Sequence, residues 1–574
     1  MKLRYLVLFL FCSILQAGVY TIRLNEETRE DYFYTLPHIL DNIPELDIRP
    51  FDATDQNISR LGNSSMRDNS VLLLVNGTRE TALQDGRLVG DLRSVGNNVV
   101  DSIVVYTGVH AENRSGNYSV IVDLISKKHT NNSIGAIAYM GSEVGDPTAL
   151  LEVMDPSLIP YNKEQLAAGE VFGSLSTGKF GHYGGLNLIY MDRYSNRLEN
   201  ERSERYPTIN SSLHMQEVRK GNYSLQFHGR ENRAGLDLSL VDYNLFRYDH
   251  VNMNYNYYEG TRGKVSLSDQ FDSDQFWGSI NLGLLYEKAK IFESELDSIS
   301  GDWSDLSLWS EFGYKGNQRY SISFEANGEH GERPIIHTDS VSVLPLNDNF
   351  KISGTVVSFD GVLRSTVSYP PSLSLISHFL VKEKSKFSAA ISFSEVNDYL
   401  DNSRLEILSE LTWDKDINLM FMGAKAGVEY GPLVEQQQNG LLFEPYETSL
   451  WGEVHYGISK YLNFSLYGSN YLLSSSIQSE YTVQGLTIAG GIYYKSKTLW
   501  DSETHLQRSF LTHSTTATET LPNQFTGSFS LSYALFKDRL KMAIAIRDIG
   551  KARVAILHGC YVGPVMVSNF HLKF

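Results

Sequence analysis

Leu306-Ser307-Leu308-Trp309-Ser310-Glu311-Phe312-Gly313-Tyr314, followed by Lys315-Gly316-Asn317-Gln318 and then by Tyr320 to Ala326, is the stretch on which the fold turns. Leu306, Leu308, Ser310, Phe312 and Tyr314 share one face of a period-two strand. The polar Lys-Gly-Asn-Gln run reverses the chain. Tyr320, Ile322, Phe324 and Ala326 then line the same face of a returning strand, which makes the segment a β-hairpin by period and by turn chemistry. The design recurs along the chain. Leu405, Ile407, Ser409, Leu411 and Trp413 lead into Asp414-Lys415-Asp416 and out through Ile417, Leu419 and Phe421. Leu450 to Ile458 turns at Ser459-Lys460-Tyr461 and returns through Leu462, Phe464 and Leu466. Phe525 to Leu535 turns at Lys537-Asp538-Arg539 and returns through Leu540, Met542, Ile544 and Ile546.

The tight turns carry charge, whereas the connections at the other strand ends read as longer and more polar: Glu287–Asp305, Gly328–Asn349 and Asp501–Asn523. Short turns on one rim and long loops on the other is the asymmetry of bacterial membrane barrels, with the short turns periplasmic. A large soluble β-sandwich or solenoid is the other reading of such hairpins, but no fixed-period repeat accompanies them. Composition agrees with a strand-rich chain. There are 34 Tyr and 27 Phe against 6 Trp, and only 15 Pro in 574 residues, so aromatics are available for interfacial girdles. The mean hydropathy of −0.24 is ordinary, as it is for a barrel whose outward apolar residues alternate with polar inward ones. A net charge of −17 argues against a nucleic-acid partner.

Both ends are informative. Lys2 and Arg4 precede an uncharged apolar run, Tyr5 to Leu15, and Leu15-Gln16-Ala17-Gly18 ends in small residues. This is the pattern of a secretory signal peptide over residues 1–17, too short for a spanning helix. Cys12 follows Phe11, where a lipoprotein signal needs a small residue, so no lipid anchor is read there. No later run of 18 or more apolar residues exists. At the other end, Phe570-His571-Leu572-Lys573-Phe574 alternates up to a terminal aromatic. Here the chain resembles outer-membrane β-barrels. That resemblance implies a bacterial outer-membrane location, contact with outer-membrane lipid, and an assembly signal at Phe570, Leu572 and Phe574 read by the barrel-assembly machinery.

From residue 133 to the end, roughly 20 residues per strand, counting its share of turn and loop, gives about 22 strands. Residues ahead of the barrel read differently. Leu36 to Ile48 has apolar residues at helical spacing, broken at Pro44. Val71-Leu72-Leu73-Leu74-Val75 is continuous, as in a strand buried on both faces, and Asn76-Gly77 is a turn signal. Val99 to Tyr106 and Val120 to Ile125 are two more β-rich runs. A small α+β domain of this size, placed before so large a barrel, suits a plug for its lumen.

Its residues resemble the plug of TonB-dependent outer-membrane receptors. Ile39 to Ile48 looks like that family's helix-then-PGV segment, and Ile58-Ser59-Arg60-Leu61-Gly62 is similar to its I-x-I-R-G strand. Val71 to Arg79 matches V-L-V-L-[IV]-[DN]-G-x-R most closely. Val99 to Gly108 resembles I-E-R-I-E-V-x-R-G, and Val120 to Lys127 is similar to G-V-I-N-I-I-T-K. The departures are Glu45 where the family has Gly, Val109 for a proline, and Glu112 to Gly116 in place of S-A-L-Y-G. The resemblance implies a plug motif at Arg60, Gly62, Asn76, Gly77, Arg79 and Gly108, and a TonB-like energising protein as partner. The candidate contact for that protein is Val19, Thr21, Ile22 and Leu24. The expected organisation is a flexible arm over 18–30, a plug over 31–128 and an all-β membrane barrel over 129–574. Gly77 and Gly108 serve turns or close backbone approach. Arg79 either forks onto carboxylates and ties the plug to the wall, or is a solvated turn residue.

No other chemistry stands out. His110, His182, His228 and His513 lack paired ligand spacing, so no metal is read. There is no G-x-S-x-G, phosphate loop or zinc signature, so the chain is not read as an enzyme and no cofactor is expected. Cys560 is the only cysteine outside the signal, more often a small buried apolar residue than a nucleophile. The function implied is uptake of a scarce small-molecule nutrient (an iron chelate, a cobalamin or an oligomer) with TonB-type coupling. The alternatives are a plugged but non-energised surface-binding or scaffold protein and a smaller outer-membrane enzyme barrel.

Overall fold

The computed structural model describes residues 19–23, 40, 46–50, 55–60, 71–83, 87–89, 99–107, 120–128, 131–143, 162–195, 215–249, 254–292, 298–315, 320–336, 341–345, 350–358, 363–369, 372–382, 385–397, 403–417, 420–437, 440–459, 462–469, 472–484, 486–497, 524–536, 539–549 and 565–573. Nearly all of them are strand. The N-terminal part contributes β1 (Val19–Arg23), β2 (Leu46–Pro50), β3 (Asp55–Arg60), β4 (Val71–Val75), β5 (Thr78–Leu83), β6 (Arg87–Val89), β7 (Val100–Thr107) and β8 (Val120–Ser126). These form two sheets, one ordered β1-β7-β8-β4-β5 and one ordered β2-β3-β6. Only β4 and β8 run parallel within the larger sheet.

A closed antiparallel barrel follows. Its first members are β9 (Ser133–Glu143), β10 (Asn162–Thr177), β11 (Phe180–Ser195), β12 (Met215–His228), β13 (Asn232–Asp249), β14 (Asn254–Asp272), β15 (Phe276–Phe292), β16 (Ser298–Tyr314), β17 (Tyr320–Ile336) and β18 (Val341–Pro345). The last strand, Val565–Lys573, pairs back onto β9 and closes the ring. Of the 23 strand segments in the ring, β18 pairs only with the far end of β17, while Phe350–Ser358 pairs with the near end. The wall therefore carries 22 strands.

Alternation decides which face is which. On β15, Ile280, Leu282, Leu284 and Tyr286 are exposed, while Asn281, Gly283, Leu285 and Glu287 between them are buried. On neighbouring strands Val265, Leu267, Leu306, Phe312, Ile322 and Phe324 share the outward face, and Lys264, Ser266, Asp305, Ser307, Ser323 and Glu325 the inward one. Each large apolar side chain left in water forgoes about 1.5–3 kcal/mol of burial. An entire belt of them is stable only against hydrocarbon, which places the belt in a membrane. Aromatics gather where the belt ends at the short turns: Phe276 against Tyr314 at 5.3 Å between ring centres, Phe271 against Phe312 at 6.0 Å, and Phe180 against Phe227 at 5.3 Å.

The structure corrects several expectations. The connection expected over Glu287–Asp305 is largely paired strand: Glu287 opposes Trp303 and the pairing continues to Phe292 and Ser298. Much of Gly328–Asn349 is likewise a ribbon of β17 and β18. A barrel strand needs only about 9–11 residues to cross the bilayer. The 17 residues of β15 thus run on past the belt as a ribbon, in which backbone pairing continues although the apolar alternation that marks the crossing has ended. The turn expected at Asp414-Lys415-Asp416 lies further on. These residues oppose Gly423, Met422 and Phe421, and the reversal follows Ile417. Charge beside a rim mimics a turn signal. Asp501–Asn523 lies outside the described residues.

In the plug, the helical spacing expected through Ile48 gives way to β2 at Leu46. Pro44 removes a helix donor, and Leu46-Asp47-Ile48 alternates. The free arm expected over 18–30 is not free at its start. Val19, Tyr20, Thr21, Ile22 and Arg23 oppose Tyr106, Val105, Val104, Ile103 and Ser102 of β7. An alternating run of β-formers caps a sheet edge that would otherwise present an open row of backbone donors and acceptors. A wall closed on itself has no edge from which to unravel. Accordingly, the unheated protein should run faster on a denaturing gel than the boiled protein. Equal mobility before and after boiling would contradict the closed wall.

Candidate functional site at the plug and barrel wall

The β4–β5 hairpin presents the site. Asn76 and Gly77 occupy the two central turn positions with φ of 50° and 75°, the backbone that a two-residue primed turn demands and that Asn-Gly adopts most readily. The turn is stapled to β8. Asn76 N–H donates to the Leu124 carbonyl at 2.9 Å, and Gly77 N–H donates to Asp123 Oδ1 at 3.0 Å. The Asn76 amide donates to Ser126 Oγ and accepts from Ser126 N–H, both at 2.8 Å. The tip is therefore rigid before it meets the wall.

Next comes a β-bulge. Leu73 opposes Thr81 and Leu74 opposes Arg79, which leaves Glu80 as the extra residue. In a regular strand Arg79 and Glu80 would point to opposite faces. A bulge re-aims side chains at such a position, and here both reach the barrel. Arg79 Nε lies 3.1 Å from Asp305 Oδ2, and Arg79 Nη2 lies 3.2 Å from Glu329 Oε1. The Glu80 side chain is 0% exposed, and its Oε2 accepts from Lys264 Nζ at 2.6 Å.

Register explains why the wall is ready for them. Across β14 to β17, Lys264 opposes Leu285, Leu285 opposes Asp305, and Asp305 opposes Glu329. One inward row thus carries a cation at one end and two carboxylates at the other. The plug offers the reverse order, anion beside cation. The adjoining row is also charged. Arg262 Nη2 and Nε lie 2.6 Å and 2.7 Å from Glu287 Oε2, and Tyr243 donates to Glu287 Oε1 at 2.7 Å. Arg333 extends the network, 3.6 Å from Glu329 and over the Trp303 ring at 5.0 Å. In the row on the other side stands Gly283, where any Cβ would collide with the methyl of Thr78. The missing side chain lets the hairpin seat against β15.

Of the residues singled out in the sequence, Asn76, Gly77 and Arg79 come together here. Arg60 ends β3, opposite Leu46, while Gly62 and Gly108 lie outside the described residues. Val19, Thr21 and Ile22 sit on β1, and Leu24 is outside the description. Phe570 and Leu572 are outward residues of the closing strand, opposite Ala138 and Ala136 of β9; Phe574 is not described. Sequence reading missed Glu80, Lys264, Asp305, Glu329 and Gly283. Their signal was present in part. Arg262 and Lys264 sit on the polar side of an alternating run, where charge in mid-strand points to a lumen partner. The identity of that partner depends on register between distant strands. Among the described residues no group of three or more His, Cys, Asp or Glu is placed to hold a metal.

No protein-family model matches this chain, and no curated protein matches it. Solved structures do. The siderophore receptor PirA from Acinetobacter baumannii superposes with a TM-score of 0.65 at 12% identity, over 97% of this chain and 98% of that one. A mutant of the ferric enterobactin receptor PfeA from Pseudomonas aeruginosa, in complex with enterobactin, gives 0.66 at 13% identity, over 98% and 100%. FpvA of P. aeruginosa, bound to a heterologous pyoverdine, gives 0.64 at 8% identity, over 97% and 86%. The crossed ion pairs that seat a small N-terminal domain against a 22-strand wall, and the likeness over nearly the whole length, lead to one conclusion: this chain has the plugged-barrel fold of the outer-membrane siderophore receptors.

Proposed function

We propose that the protein is an outer-membrane receptor of the TonB-dependent type, taking up an iron chelate through a barrel gated by its plug. The carrying observation is the hairpin of residues 71–83 held against the lumen wall by buried ion pairs of alternating sign. A barrel of this strand number would otherwise enclose an open or wide lumen. In this reading the plug spans residues 31–128 and Asn76, Gly77, Arg79 and Glu80 hold it closed. The partners are a TonB-like protein, outer-membrane lipid and the barrel-assembly machinery, which reads the closing strand. The activity is binding and transport, not catalysis.

Energy coupling has two readings. The outer membrane holds no ion gradient, so uphill uptake must draw work through the N-terminus, and β1 offers a sheet edge for a partner strand. The pairing of β1 with β7 favours the second, a receptor that binds at the surface without being energised. Surface binding and accumulation of ferric enterobactin and of ferric pyoverdine should be measured side by side, in cells with and without TonB. Binding in both strains with accumulation only where TonB is present is expected. Accumulation without TonB would replace the energised reading, and absence of binding to any iron chelate would overturn the substrate class.

The lock itself makes a separate prediction. Removing one partner of a buried pair leaves the other charge uncompensated, at about 3–5 kcal/mol. Glu80→Ala should therefore loosen the plug and raise ion conductance of the full-length protein in planar bilayers, and Arg79→Ala should do the same. Glu80→Lys combined with Lys264→Glu should recover much of the closed state. Unchanged conductance in all three would show that these pairs do not hold the plug.

A further inference from the structure

The outward face of β9 to β13 carries a groove of about 700 Å³. Its floor is formed where side chains are missing, at Gly173, Gly184 and Gly221, and its banks include Val171, Leu186 and Leu240. Gly173 and Gly184 oppose one another across β10 and β11. Leu186 on the bank is 70% exposed. The groove thus opens onto the apolar belt, where the surroundings are hydrocarbon.

One end of the groove is polar. Tyr223, which lines it, lies with its hydroxyl 3.0 Å from His182 Nδ1, and the outward face turns polar again past the other end, at Arg219 and Asp242. Beyond it, towards the short turns, Phe180 packs on Phe227. Past these rings are the β10–β11 turn with Lys179 and the β12–β13 turn with Arg230 and Glu231. The two turns adjoin, since His228 N–H donates to the Lys179 carbonyl at 2.7 Å. Lys179 and Arg230 are exposed. From Leu186 to Lys179 is seven residues. That is roughly 16 Å of membrane depth for a strand rising 3.3 Å per residue at a tilt near 45°, or about half of the 30 Å hydrocarbon core.

We propose that this groove is a lipid site. It holds one acyl chain of a periplasmic-leaflet phospholipid, with its ester region at His182 and Tyr223 and its phosphate over Lys179 and Arg230. The spacing fits a tail that starts at the interface and ends near the midplane. The cations at the rim complement a phosphate, and the apolar banks complement a tail. The inference rests on the membrane-spanning reading of the barrel, and on nothing in the transport reading.

Native mass spectrometry of the full-length protein, exchanged into detergent with phosphatidylglycerol or phosphatidylethanolamine, tests it. One phospholipid should survive delipidation, with phosphatidylglycerol retained better. A Cβ at Gly184 meets no atom within 4 Å, and one at Gly173 meets only the Ser133 carbonyl at 3.8 Å. Gly184→Leu and Gly173→Val can therefore fill the groove without disturbing the wall, which heat-modifiable migration verifies. Each should lower retention about tenfold, the effect of withdrawing roughly two methylenes of burial. Lys179→Ala with Arg230→Ala should abolish the headgroup preference. Undiminished retention in a correctly assembled filled variant, or occupation of the face by a second copy of the chain, would overturn the proposal. Chelate uptake does not enter these readouts, so failure of the transport reading is distinguishable from failure here.

Discussion

Everything in this molecule follows from a wall that is one residue thick between two unlike solvents. A closed ladder satisfies every backbone donor and acceptor along the strands, which allows irregular-looking sequence to cross hydrocarbon. The same pleat sends successive side chains to opposite faces. Leu282 and Leu284 must therefore face the membrane if Asn281, Gly283 and Leu285 face the lumen. With the apolar residues committed outward, the lumen receives the polar ones, and charges appear there that a soluble core would exclude. Lys264, Arg262, Glu287, Asp305 and Glu329 are consequences of this partition before they are parts of a mechanism.

A charged lumen cannot remain charged and buried without partners. Some of the charges settle among themselves, as Arg262, Glu287 and Tyr243 do. Others are settled by the plug. Because the row carries its cation on β14, an apolar Leu285 on β15 and its carboxylates on β16 and β17, a plug displaced by one strand would leave Glu80 against Leu285, and one displaced by two would set it against Asp305. The pairs act as a registry device more than as a source of net stability, since a buried ion pair is weak ground for the latter. The bulge at Glu80 matters for the same reason. It turns two consecutive side chains toward one wall, so that a short segment reads both signs at once.

Much of this was legible in the sequence. The hairpin expected on either side of Lys315 to Gln318 forms, with Phe312 opposite Ile322 and Tyr314 opposite Tyr320. The Asn76-Gly77 turn also stands where its chemistry placed it, because two left-handed positions admit few other residues. Strand lengths were legible only within the membrane, where alternation is enforced. Past Tyr286 the strands continue as ribbon without that constraint, so pairing there was misread as loop. The arm at Val19 was misread for a different reason. Its acids suggested solvation, while the five residues ahead of them had a sheet edge available in β7. The lock was half visible. Arg79 stands out by motif, but its carboxylates lie more than 200 positions away, and only closure of the barrel brings them near.

The central claim is that this hairpin is seated inside the wall at β15. The position a Cβ would take at Gly283 is 3.8 Å from Thr78 Cβ, the mean Cβ separation of a disulfide, about 3.8 Å. Thr78→Cys with Gly283→Cys, in a Cys560→Ser background, should therefore cross-link plug to barrel on mild oxidation of the full-length protein. After cleavage of the chain between residues 108 and 120, the two fragments should stay joined until reductant is added. Fragments that separate without reductant, while either cysteine alone remains reactive, would contradict the seated plug and the account built on it.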